Sequence, residues 1–155
     1  MTTDVSNRAY TAFLGRKLSA AMPTGIEIDP DRLHPMLFPF QRDLTAWALR
    51  QGRAALFADT GLGKTFMQVE WAQRVAEHTN GRVLILTPLA VSRQTVSEAA
   101  KLGIDVRRSS DGTHLGRITA TNYERLHYFN AEDFAGVVCD ESAILKNFDG
   151  LRRRA

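Results

Sequence analysis

Cysteine is almost absent from this sequence, and no spacing typical of a structural metal site occurs in it. Cys139 is the single cysteine, so no disulfide can form within the chain. The four histidines lie far from one another and from Cys139, without the short spacings that zinc ligands show. These absences exclude a disulfide-stabilised scaffold and a zinc finger. They also favour a reducing compartment, which we predict to be the cytoplasm.

Long apolar runs are missing as well. No stretch approaches the roughly 20 apolar residues that a membrane-spanning helix needs. The N-terminus lacks the basic region and apolar segment typical of a secretory signal. Hydrophobic residues make up 44% of the 155 residues and charged residues 24%, which is the balance of one globular domain. The formal net charge of +3 is compatible with phosphate-rich partners but does not identify them.

Apolar periodicity divides the chain into a small N-terminal helical appendage, residues 1–36, and a main domain, residues 37–155. The appendage begins with an apolar stripe at helical spacing, formed by Tyr10, Phe13, Leu14 and Leu18. In the main domain, helices are predicted from near residue 40, over 63–77 and 90–102, and briefly at 123–126. Strands are predicted over 54–58, 83–87, 105–108, 117–121 and 136–140. This alternation predicts an α/β fold with a parallel sheet, helices on both faces and ligands beyond the carboxyl ends of the strands.

A phosphate-binding loop is predicted at residues 58–65, which read ADTGLGKT. The segment matches G-x-x-x-x-G-K-[ST] except that Ala58 replaces the first glycine, and it lies between a predicted strand and a predicted helix. Lys64 can reach the β- and γ-phosphates, and Thr65 is placed to offer its hydroxyl to Mg²⁺. The alternative is a glycine-rich turn that precedes a lysine by chance. The residues assigned to nucleotide binding are Thr60, Gly61, Leu62, Gly63, Lys64 and Thr65.

An acidic pair ends the last predicted strand. Asp140 is predicted to hold Mg²⁺, directly or through water, and Glu141 to polarise the attacking water. Side chains at successive positions diverge, so one carboxylate can face the metal while the next faces the nucleophile. The alternative is a strand that ends in a solvated turn. In combination with the loop, the pair favours a catalytic site that contains Lys64 and Glu141.

Further segments resemble motifs of the superfamily-two helicases and translocases. LFPFQR at 37–42 resembles their Q-type motif, LTPLAV at 86–91 motif Ia, and TATNYERL at 119–126 motif Ib. DESAILKN at 140–147 resembles motif II of the Swi/Snf-type translocases, and the loop with its alanine resembles their motif I. The sequences of motifs Ib and II also resemble those of helicases from phages and prophages. The resemblance spans residues 37–147.

This resemblance implies a RecA-like ATP-binding domain that uses ATP and Mg²⁺ and acts on nucleic acid, with DNA favoured over RNA. It implies that Gln41 recognises adenine and that motifs Ia and Ib contact the nucleic-acid backbone. For Arg93 the alternative is a solvated helical turn, and for Tyr123 it is a place in the core. The candidate nucleic-acid contacts are Pro88, Arg93, Asn122 and Tyr123.

The sequence departs from the family pattern in two places. Ala143 stands where DEAD- and DEAH-box proteins carry Asp or His, so the usual link to motif III cannot form. Motif III and a second RecA-like domain with arginine fingers, which contribute about 10³–10⁵ in rate, do not follow in this sequence. We therefore expect the ATP-binding lobe of a helicase or translocase, with weak ATP binding and little hydrolysis alone. A module that pairs with a separate second lobe, and an NTPase outside the helicases, are the alternatives.

Overall fold

A parallel β-sheet forms the centre of the protein in the computed structural model, which describes residues 11–12, 23–56 and 63–141. Its strands are β1 (Val83–Thr87), β2 (Val106–Arg108), β3 (Ile118–Asn122) and β4 (Gly136–Cys139). Their order across the sheet is β2-β3-β1-β4, and every pairing is parallel. The carboxyl ends of β3, β1 and β4 therefore lie side by side at one edge of the sheet.

Helices precede and follow β1. They are α1 (Pro39–Gln51), α2 (Lys64–Thr79) and α3 (Ser92–Lys101), and short 3-10 helices cover Pro30–Arg32, Tyr123–Tyr128 and Ala131–Asp133. Apart from the strand discussed below, these bounds confirm the predicted elements to within about two residues. No helix of the described residues has the length and apolar character that crossing a membrane requires.

The two faces of the sheet are covered differently. Alternate residues of a strand point to opposite faces, and Val83, Ile85, Ile118 and Ala120 pack in one cluster with apolar residues of α1, α2 and α3. On the other face, Leu84 and Leu86 pack with three aromatic residues of the segment after β3, namely Tyr123, Phe129 and Phe134. In the described part of the chain, 3-10 helices rather than α-helices therefore cover this face. The predicted class, an α/β parallel sheet flanked by helices, is confirmed and is consistent with a RecA-like fold.

The predicted strand over residues 54–58 is wrong for residues 54–56. These residues form no strand and are exposed, and the side chain of Leu56 is 36% accessible. A buried strand needs a hydrogen-bonded neighbour and cover on both faces, which an apolar run does not supply by itself. Phe57 and Ala58 lie outside the described residues.

The apolar residues of helix α1, namely Phe40, Leu44, Trp47 and Ala48, predict its buried face. The structure confirms this prediction in part, since Ala48 is buried and Leu44 packs against the core. Phe40 and Trp47, expected on the apolar face, are 43% and 39% exposed. Adjacent helical residues point about 100° apart, so turning Phe40 outward brings Gln41 inward. The buried residues of this helix are Gln41, Thr45, Ala46, Ala48 and Leu49.

The segment before α1 packs onto the main domain. The backbone amides of residues 24–26 donate to the last carbonyls of α1, which supplies the partners that a helix C-terminus lacks. Gly25 has no room for a side chain here, because a Cβ would overlap the carbonyl oxygen of Leu49. Leu33 and Leu37 are each 2% exposed and belong to the core. The predicted stripe at Tyr10, Phe13, Leu14 and Leu18 lies outside the described residues.

Strand β4 is an edge strand of the described sheet, and its residues alternate between half-buried and exposed. Val137 is 45% exposed, and Cys139 is exposed as well. The apolar sequence of this strand predicts that Cys139 packs in the core. That prediction is wrong, because the described residues cover this face of the edge strand only in part.

Candidate nucleotide and nucleic-acid site

The start of α2 and the end of β4 meet at the carboxyl edge of the sheet. Gln68 lies one turn after Lys64 on α2, and its Nε2 donates a hydrogen bond of 3.1 Å to Oδ1 of Asp140. Residues four apart on a helix are neighbours on its surface. Lys64 and Asp140 therefore lie at the same end of the sheet, as a nucleotide bridging the two would require.

Thr65 lies on the same side of α2 as Gln68. The two residues are three positions apart, which makes them neighbours on the helix surface, and both are half-buried. The hydroxyl of Thr65 and the carboxylate of Asp140 are the oxygen ligands that Mg²⁺ prefers. Among the described residues no three His, Cys, Asp or Glu side chains gather into a metal-binding cluster. These two residues nevertheless fit Mg²⁺, which usually takes one or two protein ligands and completes its shell with phosphate oxygens and water.

Gly63 forms the N-cap of α2 in a left-handed conformation, with φ 70° and ψ 38°. This region of φ favours glycine over residues with a Cβ. A Cβ at this position would also overlap Nε2 of Gln41. Glycine thus suits this position through its backbone conformation, and Nε2 of Gln41 lies in the space that it leaves.

Gln41 lies between the starts of α1 and α2. Its side chain is 3% exposed, and its Oε1 accepts a hydrogen bond of 2.8 Å from the backbone amide of Phe38. This bond satisfies one of the amides that a helix N-terminus leaves without a partner. The carboxamide predicted to recognise adenine is therefore held beside the residue that begins the phosphate-loop helix. Ala58, Thr60, Gly61 and Leu62 lie outside the described residues, and their roles stay predictions.

The backbone of the acidic pair is held at Asp140 and then changes direction. The backbone amide of Asp140 donates a hydrogen bond of 2.8 Å to the carbonyl of Leu86. The backbone carbonyl of Asp140 accepts a hydrogen bond of 2.6 Å from the hydroxyl of Tyr123. Glu141 follows with φ 52°, which is left-handed for a residue other than glycine, and it is exposed. Such a conformation costs about 1–3 kcal/mol and persists only where its surroundings impose it. The backbone thus turns between Asp140 and Glu141, which is compatible with the separate roles predicted for the two carboxylates.

Tyr123 takes the core position that the sequence left as an alternative to nucleic-acid contact. Its side chain is 1% exposed, and its ring packs with Leu84 and Leu86. Burial, followed by the neighbouring Cys139 and Asp140, raises the pKa of Tyr123 far above its ordinary value. The hydroxyl therefore stays protonated and acts as a donor to Asp140. A ring buried to this extent offers no face on which a base could stack.

The other candidate nucleic-acid contacts lie along the same edge of the sheet. Pro88 directly follows β1, whose last residue pairs with Asn122 at the end of β3. Asn122 is 8% exposed. Its Nδ2 donates a hydrogen bond of 2.6 Å to Oε2 of Glu124, and this bond lowers the pKa of the Glu124 carboxyl. Arg93 lies exposed in the first turn of α3. Its exposure is compatible with a phosphate contact and equally with a solvated helical turn.

Two contacts of this site were not predicted from the sequence, the hydrogen bonds from Gln68 and Tyr123 to Asp140. The partners are 72 and 17 residues apart along the chain. One signal for Gln68 was available, because a polar side chain one turn after the lysine of a phosphate loop faces the same way as the lysine. No comparable signal distinguishes the hydroxyl of Tyr123.

Comparison with known proteins finds sequence similarity to a protein named as a DNA helicase. The chain is 26% identical over 156 residues to the mouse DNA annealing helicase and endonuclease ZRANB3. That match covers 88% of this chain and 14% of the mouse protein. The Bos taurus and human proteins of the same name are 28% and 29% identical over 144 residues, or 81% of this chain and 13% of theirs. No protein-family model matches the sequence.

The chain is similar to part of a DNA helicase. It spans only about one seventh of the length of these curated relatives, at 13–14%. The similarity supports a helicase-like relationship at the level of the superfamily. The activity of the whole relatives does not follow from it.

Proposed function

We propose that this chain is the ATP-binding lobe of an ATP-dependent helicase or translocase that acts on nucleic acid, with DNA favoured over RNA. The hydrogen bond from Gln68 to Asp140 carries this proposal, because it fixes the start of α2 and the acidic pair at one edge of the sheet. The similarity to a protein named a DNA annealing helicase supports the same conclusion.

Each residue at this edge then has a role in the proposed site. Gly63 and Lys64 hold phosphates at the N-terminus of α2, where backbone amides and the helix dipole favour an anion. Thr65 and Asp140 would hold Mg²⁺, which supplies charge neutralisation to the phosphates when it is bound. Glu141 orients and polarises the attacking water.

Adenine recognition is proposed for Gln41. The edge of adenine presents a donor at N6 and an acceptor at N7, and a carboxamide offers the matching acceptor and donor. Oε1 of Gln41 already accepts from the amide of Phe38, which fixes the orientation of the carboxamide. A fixed orientation favours adenine over guanine, whose edge carries acceptors at both positions.

Nucleotide titration of the purified 155-residue chain tests the proposal. We expect ATP to bind more tightly with Mg²⁺ than without it, and GTP to compete poorly. Lys64→Ala is expected to weaken ATP binding by about tenfold or more, because it removes a charge-assisted contact of about 1.5–3 kcal/mol. Lys101→Ala on α3 is the matched control and is expected to bind ATP as the unaltered chain does.

The titration has clear outcomes against the proposal. Equal ATP affinity of the Lys64→Ala and Lys101→Ala variants, or no ATP binding by the unaltered chain, would contradict it. Hydrolysis by this chain alone is expected to stay close to background, since an arginine finger contributes about 10³–10⁵ in rate. Strand separation by the 155 residues alone would contradict that expectation. A chain that binds a second lobe but no nucleotide would instead support the interaction-module alternative.

A further inference from the structure

We propose that Gln68 and Tyr123 are positioning residues that fix Asp140 for cation binding. The inference rests on the proposed function, because it assigns how the chain holds its predicted Mg²⁺ ligand. Neither residue is expected to touch the nucleotide. Each acts through Asp140.

Three hydrogen bonds fix Asp140, one at each of its polar groups. Its backbone amide donates to the carbonyl of Leu86 at 2.8 Å, which continues the pairing of β4 with β1. Its backbone carbonyl accepts a hydrogen bond of 2.6 Å from the hydroxyl of Tyr123. Oδ1 of its side chain accepts a hydrogen bond of 3.1 Å from Nε2 of Gln68. The position of the carboxylate is thus set by β1, by the segment after β3 and by α2 together.

The chemistry of Gln68 suits a ligand that must remain charged. A carboxamide donor orients Oδ1 without neutralising the carboxylate, whereas a lysine or arginine at this place would compete with a cation for it. Among the described residues, Gln68 holds Oδ1 of Asp140, so Oδ2 is the oxygen that we assign to the cation. Partners of this kind, outside the ligands themselves, orient ligating carboxylates in metal sites.

Tyr123 controls the peptide that joins the two acids. Its hydroxyl holds the carbonyl of Asp140, and the next residue, Glu141, takes a left-handed φ of 52°. The ring of Tyr123 is fixed by burial, so the hydroxyl cannot follow a displaced carbonyl far. Loss of this bond frees the peptide to rotate and moves Asp140 away from its cation-binding position.

The test measures cation affinity in the full 155-residue chain with Mn²⁺ and ADP as probes. Bound Mn²⁺ is counted by electron paramagnetic resonance, which requires no catalytic turnover. The variants are Gln68→Leu, which keeps the volume and removes the donor, and Tyr123→Phe, which removes only the hydroxyl. Gln73→Leu is the control, because Gln73 lies on the same helix and its side chain bonds Glu77 at 2.8 Å instead.

We expect Gln68→Leu to lower Mn²⁺ affinity in the presence of ADP by about tenfold or more, as loss of such partners does in metal sites. Tyr123→Phe is expected to lower it by about twofold to tenfold, the equivalent of one lost neutral hydrogen bond. Neither variant is expected to change ADP binding without cation. Gln73→Leu is expected to match the unaltered chain in both measurements.

The outcomes separate this inference from the proposed function. An unaltered chain that binds neither ADP nor Mn²⁺ with ADP overturns both. An unaltered chain that binds both, with Gln68→Leu and Tyr123→Phe indistinguishable from it, overturns the positioning roles alone. Equal losses of ADP affinity with and without cation would show a general structural role and also overturn them. If Gln68→Leu does not fold, Tyr123→Phe decides between the same results.

Discussion

Replacing the guanidinium of Arg74 by an apolar group tests how α2 is fixed to the segment before α1. Glu70 of α2 is 1% exposed, and its Oε1 accepts hydrogen bonds from Nε of Arg74 at 2.7 Å and from the amide of His34 at 3.2 Å. Arg74 also donates from Nη2 to the carbonyl of Arg32 at 3.2 Å. This ion pair connects residues 32–34 to the helix that carries Lys64.

The expected cost follows from the different burial of the two partners. Arg74→Met leaves the buried carboxylate of Glu70 with the backbone amide of His34 as its hydrogen-bond partner among the described residues. Removing one partner of a buried ion pair costs about 3–5 kcal/mol. Because Arg74 is 26% exposed and water can approach, we expect a cost at or just below the lower end of that range, about 2–3 kcal/mol. Glu70→Gln is expected to cost only about 1 kcal/mol, because the carboxamide oxygen can still accept hydrogen bonds. Arg74 also keeps its ion pair with Glu77, at 3.4 Å.

Urea unfolding followed by circular dichroism measures these costs in the two single variants and the double variant. We expect the double variant to be more stable than the sum of the single costs implies, by about 1–2 kcal/mol, since the two residues share one interaction. Lys101→Ala is the control, because its pair with Glu98 lies on the surface of α3 and is worth at most about 0.5 kcal/mol. Additive costs, or an Arg74→Met loss no greater than that of the control, would refute the reasoning.

Variants at three further positions address the site. Gly63→Ala is expected to lower the free energy of unfolding by about 1–2 kcal/mol and to displace Gln41, and unchanged stability would argue against the left-handed conformation. At position 141, Glu141→Gly is expected to be more stable than Glu141→Ala by about 0.5–1 kcal/mol in urea unfolding, and the usual reverse order would contradict the positive φ. The pKa of Tyr123 is raised above its ordinary value near 10, so its hydroxyl stabilises the fold fully below pH 10 and less as the pH rises further. Tyr123→Phe should therefore lose less stability than the unaltered chain above about pH 10, and an equal loss would count against a buried hydroxyl.

The sheet was predictable where burial alone decides the structure. The run Val83–Thr87 is buried throughout, as the central strand of a parallel sheet must be, and a continuous apolar pattern predicts that. The same pattern over residues 54–58 predicts a strand that residues 54–56 do not form. The difference lies in partners, since β1 has β3 and β4 beside it and residues 54–56 pair with no described strand. An apolar run therefore indicates that a segment can form a strand, but it does not indicate whether a neighbouring strand is present to pair with it.

The site was predictable at the level of topology but not at the level of contacts. Because parallel strands end at one edge, the sequence places Lys64 and Asp140 near each other. The bonds to Asp140 from Gln68 and Tyr123 depend on how α2 and the segment after β3 pack, which no local pattern contains. The prediction that Phe40 faces the core from α1 is wrong for a related reason. Gln41 is less apolar than Phe40, yet it is buried because its carboxamide finds partners at the start of the helix.

Gly63 shows how the proposed contacts to a base and to phosphates would be linked before any ligand binds. A glycine in a phosphate loop is usually explained by the anion that the backbone must approach. Here Nε2 of Gln41 also packs against Gly63, so a side chain at this position would displace the carboxamide. The N-terminus of α1 carries the residue proposed to recognise adenine, and that of α2 carries Lys64. A change that moves either helix start therefore displaces the base contact relative to the phosphate contact, so losses of adenine selectivity and of phosphate binding should occur together.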